Sequence, residues 1–194
     1  YDYFDFGDYD ISTNNELMAY SIDTLSRRIY QIHIKNLKTG ELYPETLEQT
    51  TGSVTWANDN KTLFYVKQDL KTLRSFQIYA HQIGTNQRED VLVYEETDET
   101  FYCSVYKSKS ENYVIINSSS TLSDEYRIIN ANEPQNTPIL FQKRERGLEY
   151  SIYHHNNGFY IVTNQDHKNF SIKFCNENKT DKKNWKTIIE GRDS

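Results

Sequence analysis

Five histidines, two cysteines, a serine triplet, a run of four carboxylates and one arginine pair are the residues in this chain whose types could do chemistry. A serine nucleophile needs a base and a strained strand-to-helix elbow of the Gly-x-Ser-x-Gly kind. The triplet Ser118-Ser-Ser120 has neither, and no such elbow occurs anywhere in the chain. His154 and His155 are adjacent, and neighbours on a strand point to opposite faces, so the two cannot easily share a metal ion. His81 follows Tyr79 in a strand-like run and reads as a partly buried, hydrogen-bonded residue rather than a base. Cys103 and Cys175 lie far apart, with no C-x-x-C pair for zinc and too few thiols for a disulfide framework. Both read as free thiols, which suits a reducing, cytoplasmic setting. The carboxylates Glu95, Glu96, Asp98 and Glu99 could recruit basic peptides or hold a cation. They lack the alternate spacing and glycine of a calcium loop, and a charge run in a connection is ordinarily solvated. Arg27 and Arg28 could offer a guanidinium fork to a partner's carboxylate, against the simpler reading of a solvated turn. No residue set calls for a metal or a cofactor.

The elements that must position these residues repeat. Tyr20, Tyr65, Val114 and Tyr160 align within the second strand-like run of four successive units, with spacings of 45, 49 and 46 residues. Within each unit four strand-like runs are separated by Asn-, Asp- and Gly-containing turns such as Asn14-Asn15 and Gly84-Thr-Asn86, whose residues tolerate positive φ. Two hairpins per unit at this period predict an all-β fold of β-propeller blades, placed approximately at 1–45, 50–95, 99–143 and 148–190. Naming the strands of a blade A to D, the first blade reads Phe4–Ile11, Leu17–Ile22, Ile29–Asn36 and Glu41–Tyr43, and the second opens at Val54–Trp56. The A–B and C–D turns then fall on one rim. The B–C and D–A connections, which carry Arg27, Arg28 and the acidic run, fall on the other. A rim with several opposed charges is a candidate docking face.

Four blades is the low end for a closed ring, so the expected object is an open arc of a larger propeller or one small ring. The segment Tyr1–Phe6 already reads as strand, as if cut from a longer protein. Sixteen Tyr and nine Phe supply much of the apolar area and suit strands stacked between blades. Trp56 and Trp185 read as packing anchors. A net charge of −6 argues against nucleic acid, whose phosphates call for a basic stripe. No apolar run approaches the roughly 20 residues of a membrane span.

The runs Asp23-Thr-Leu-Ser-Arg-Arg-Ile-Tyr30, Asn36-Leu-Lys-Thr-Gly-Glu-Leu-Tyr-Pro-Glu45 and Trp56-Ala-Asn-Asp59 with Leu63-Phe-Tyr-Val66 resemble the propeller of oligopeptidase B-type enzymes in the prolyl oligopeptidase family. Tyr79–Thr85, Val93–Tyr102, Glu149-Tyr150, Thr163-Asn164 and Asn169-Phe170 continue the likeness in the same order, so it covers essentially the whole chain. The resemblance implies a seven-bladed propeller capping an α/β-hydrolase domain, absent here, that carries a Ser-Asp-His triad and cleaves short peptides after Arg or Lys in the cytoplasm of a bacterium. It implies that the propeller filters substrates, and that Arg28 in Ser26-Arg-Arg28 contacts the catalytic domain. It also implies open edges through which the fragment could dimerise. The alternative is a free-standing four-bladed propeller that binds a protein or ligand through its rim. A propeller glycosidase is weaker still, because inward acids at matching blade positions are not evident.

Overall fold

The computed structural model describes residues 2–192, so Tyr1 lies outside the described residues. Among the described residues fifteen strands form three antiparallel sheets, with only the short 3-10 turns Gln87–Glu89 and Lys182–Asn184 between them. Blade 1 holds β1 (Asp5–Ile11), β2 (Leu17–Asp23), β3 (Tyr30–Asn36) and the first part of β4 (Leu42–Trp56). The rest of β4 opens blade 2, followed by β5 (Thr62–Gln68), β6 (Ser75–Gln82) and β7 (Val91–Glu95). Blade 3 is β8 (Tyr102–Lys107), β9 (Tyr113–Ser119), β10 (Asp124–Asn130) and β11 (Ile139–Gln142). Blade 4 is β12 (Tyr150–His155), β13 (Gly158–Thr163), β14 (Ser171–Asn176) and β15 (Lys186–Ile189).

The first departure from expectation is β4. Glu41–Tyr43 and Val54–Trp56 read as separate strands, but residues 42–56 run as one, joining two blades into a seven-stranded sheet. Pro44 sits where β4 pairs only with β3, an edge position where a missing N–H costs nothing. The strand changes neighbours at Thr50, which lies opposite Tyr30 on one side and Lys67 on the other. Positive φ at Gln49 (61°) and Gly52 (94°) accomplishes the change. A Cβ on Gly52 would meet Ser21 Oγ at 2.8 Å and the Tyr30 ring at 3.1 Å, so backbone angle and close approach both demand glycine.

Burial alternates along the strands, and the buried faces form three apolar cores, one in each gap between consecutive blades. Leu17, Ile32, Ile34, Trp56 and Tyr65 fill the first gap. Phe64, Ile78, Val105, Val114 and Ile129 fill the second. Phe141, Tyr150, Phe159, Ile161 and Trp185 fill the third. Trp56 is fully buried and donates its indole N–H to Asp10 O at 3.1 Å, while the Asp10 carboxylate accepts from Trp56 N at 2.8 Å. Cys103 and Cys175 belong to the second and third cores, and burial pushes each thiol up to about 12.

No core of the described residues lies between blades 4 and 1, and no sheet joins β1 to β15. The outward face of blade 1 instead shows Phe6, Tyr9 and Tyr20, and that of blade 4 shows Tyr153 and Tyr160. This is an arc and not the closed four-bladed ring required by the binding-module alternative.

Candidate docking rim

The arginine turn is built by one buried acid. Asp23 ends β2, and its carboxylate accepts from the backbone N–H groups of Leu25 (2.8 Å), Arg27 (2.8 Å) and Arg28 (2.7 Å). Burial works to raise its pKa, but the surrounding N–H groups of Leu25, Arg28, Arg27 and Ser26 outweigh burial and leave it below the usual carboxylate value. Ser26 (φ 57°) and Arg28 (φ 56°) take left-handed backbone, and Gln68 Nε2 of blade 2 donates to Arg28 O at 2.6 Å. The backbone is therefore clamped while both guanidiniums stay exposed, with no carboxylate of the described residues within 4.0 Å. Such a turn presents two uncommitted cations on a fixed backbone, each able to receive a carboxylate bidentately.

The acidic run does not act as a unit. Glu95 and Glu99 point to solvent. Asp98 is exposed and committed to its own turn, accepting from Thr100 Oγ1 at 2.7 Å and Thr100 N at 3.0 Å, which lower its pKa. Glu96 corrects the expectation of a solvated run, because it is only 3% exposed. It accepts from Arg144, from Ser118 Oγ, from Tyr94 Oη at 2.8 Å and from Asp98 N at 2.9 Å. Desolvation pushes its pKa up, but these donors, Arg144 foremost, pull it down to about 2. The inward carboxylate meets Arg144, which also donates to buried Glu125 (3.2 Å) and lies 3.9 Å over the Phe101 ring. Arg74 completes the arrangement by donating to the carbonyls of Glu96, Asp98 and Phe101. Sequence reading could not pair Arg144 with Glu96 and Glu125, or Arg74 with its carbonyls, because these partners are 19 to 48 residues away.

The histidines divide similarly. His81 is 0% exposed, with Nδ1 2.7 Å from Asp90, which also accepts from Tyr65 Oη at 2.7 Å. No hydroxyl or thiol partners its Nε2, which faces Glu45 at 3.9 Å, so the pair has nothing to activate. His154 is buried against Ser110 and Glu177 while His155 is exposed, as opposite strand faces require. No group of His, Cys, Asp and Glu among the described residues could hold a metal ion, and no helix is long and apolar enough to cross a membrane.

The profile described as "Prolyl oligopeptidase, N-terminal beta-propeller domain" matches residues 1–194. A dipeptidyl aminopeptidase BI of Pseudoxanthomonas mexicana is 40% identical over 193 residues, 99% of this chain and 27% of that protein. Protease 2 of Moraxella lacunata is 29% identical over 167 residues, 85% of this chain and 24% of the relative. Among solved structures, oligopeptidase B from Leishmania major superimposes with a TM-score of 0.92 at 25% identity, over 98% of this chain and 27% of that one. The closed, antipain-bound oligopeptidase B from Trypanosoma brucei gives 0.88 at 24%, likewise over 98% and 27%. The chain thus spans about a quarter of the length of these relatives.

Proposed function

The chain belongs to the N-terminal β-propeller domain of the prolyl oligopeptidase family, and from that premise we propose that it is the non-catalytic, substrate-gating part of a serine peptidase. Its partner in this reading is an α/β-hydrolase domain supplied by the parent protein. The match along the whole chain carries the proposal. In this role an arc of blades excludes folded proteins from the covered site and admits short peptides, and opening between domains times their entry.

Arg27 and Arg28 are the proposed contacts to the hydrolase domain. What supports them is their exposure without ion-pair partners on a turn clamped by Asp23 and Gln68. The finer proposal is oligopeptidase B-like cleavage after Arg or Lys in a cytoplasmic, bacterial parent; the collinear sequence likeness supports the specificity, and the two free thiols favour the compartment. A second reading, release of dipeptides from a free amino end, is favoured by the 40% identity to a protein of that name.

One substrate panel on the full-length parent separates the two. Amino-blocked Arg and Lys amides are cleaved under the first reading, and dipeptidyl amides with a free amino group under the second. Hydrolysis of either by residues 1–194 alone would overturn the non-catalytic assignment. Arg28→Glu in the parent should lower kcat/KM for short peptides by about tenfold, because reversing one charge at a docked pair costs over 1 kcal/mol. Wild-type kinetics from that variant would remove Arg28 from the interdomain contact.

A further inference from the structure

On the rim opposite the arginine turn, the A–B turns of three blades meet around one lysine. Lys107, the last residue of β8, donates to Thr13 Oγ1 of blade 1 at 3.2 Å and to Asn58 Oδ1 of blade 2 at 3.1 Å. Both acceptors are neutral. No carboxylate of the described residues comes within 4.0 Å of the ammonium, although the side chain is half-buried. Burial pulls its pKa below the ordinary lysine value, and the attraction of the more distant Asp10 and Glu111 only partly offsets it. An ammonium has three donors, so one remains for a ligand.

That donor borders a polar cleft of about 320 Å³ lined by Asp10, Thr13, Lys107, Lys109 and Glu111 among others. Asp10 is already occupied, accepting from Ile11 N, Thr55 Oγ1 and Trp56 N. Lys109 is exposed at the edge of the cleft. Lys107 and Lys109 balance Asp10 and Glu111 in the lining, so the open donor can offset the repulsion on a monoanion, whereas a dianion such as phosphate meets about twice that repulsion from the two acids. We propose that this cleft is a binding site for the carboxylate of a short peptide, received by Lys107 with Lys109 beside it. A desolvated cation left with neutral partners costs stability, and a carboxylate ligand supplies the charge-assisted bond that the fold does not.

The test is binding to the full chain by isothermal titration, with hydrolysis playing no part, so its failure would leave the peptidase reading intact. The probes are a neutral tripeptide with a free C-terminal carboxylate, the same peptide amidated, an amidated peptide bearing one Glu, and inorganic phosphate. The free-acid peptide should bind saturably, and either amidation or Lys107→Met should weaken it by about tenfold, the loss of one charge-assisted bond. Lys107→Met should keep or raise the unfolding temperature, since it retains the apolar stem and removes the desolvated charge. Binding by the Glu peptide assigns the site to acidic side chains as well, and failure of that peptide confines it to chain ends. Absence of binding, indifference to amidation, or phosphate competing as well as the peptide would overturn the proposal. So would Lys107→Met lowering the unfolding temperature without altering binding, which would make Lys107 a tie between blades. The amidation arm uses wild-type protein and stands even if the variant folds poorly.

Discussion

Glu96 shows what burial does to a single carboxylate on an otherwise solvated connection. Its pKa of about 2 against an ordinary 4.5 means that the folded state prefers the ionised form. The sign follows: the contribution to stability is complete above the ordinary value and is lost as pH falls from about 4.5 towards 2. Acid titration followed by near-ultraviolet circular dichroism should show that limb in the wild type, and a flatter one in Glu96→Gln. At neutral pH the same substitution leaves the half-buried Arg144 with Glu125 as its remaining acid, and urea unfolding should register a loss of about 3 kcal/mol. A variant as stable as wild type would mean that Arg144 is fully satisfied by Glu125 alone. Nothing in the local sequence distinguishes Glu96 from Glu95 or Glu99. Tyr94 and Asp98 add bonds from two residues away, but the donors that distinguish Glu96 most, Ser118 and Arg144, lie 22 and 48 residues along the chain.

At the scale of elements, blade periodicity was legible because hairpin turns and alternating apolar positions are local signals. The join between blades 1 and 2 was not. Proline and glycine ordinarily interrupt a strand, yet Pro44 lies on an edge and Gly52 on a bulge, so β4 passes through both. Gly52→Ala should cost about 1–3 kcal/mol, the range for a non-glycine residue held in a strained backbone region, with the adjacent Ser21 and Tyr30 contacts adding to it. Trp56→Ala opens the fully buried first gap and should cost about 3–5 kcal/mol. Denaturant midpoints check both, and a loss below about 0.5 kcal/mol for Gly52→Ala would show that the strand relaxes around the new methyl group.

For the whole molecule, the uncovered aromatic faces of the terminal blades set behaviour in solution. Tyr9 is 56% exposed and Tyr153 55%, on sheets whose opposite faces are packed. Residues 1–194 taken alone should associate with rising concentration in sedimentation velocity, and a Tyr9→Lys, Tyr153→Lys double variant should stay monomeric. A wild type that is monomeric at high concentration would show that these faces are not adhesive. Sequence by itself determined the all-β class, the four repeats and the connection that carries Arg27 and Arg28, because these are written in local periodicity and turn chemistry, while the family was legible only from the resemblance of its collinear runs. Only the tertiary structure decided that Glu96 points inward, that β4 is continuous, that the arc does not close, and that Lys107 stands between three blades with neutral hydrogen-bond partners. The reason is the same for all four: they depend on which distant residues share a gap, and loop chemistry and strand alternation carry no information about partners dozens of residues away.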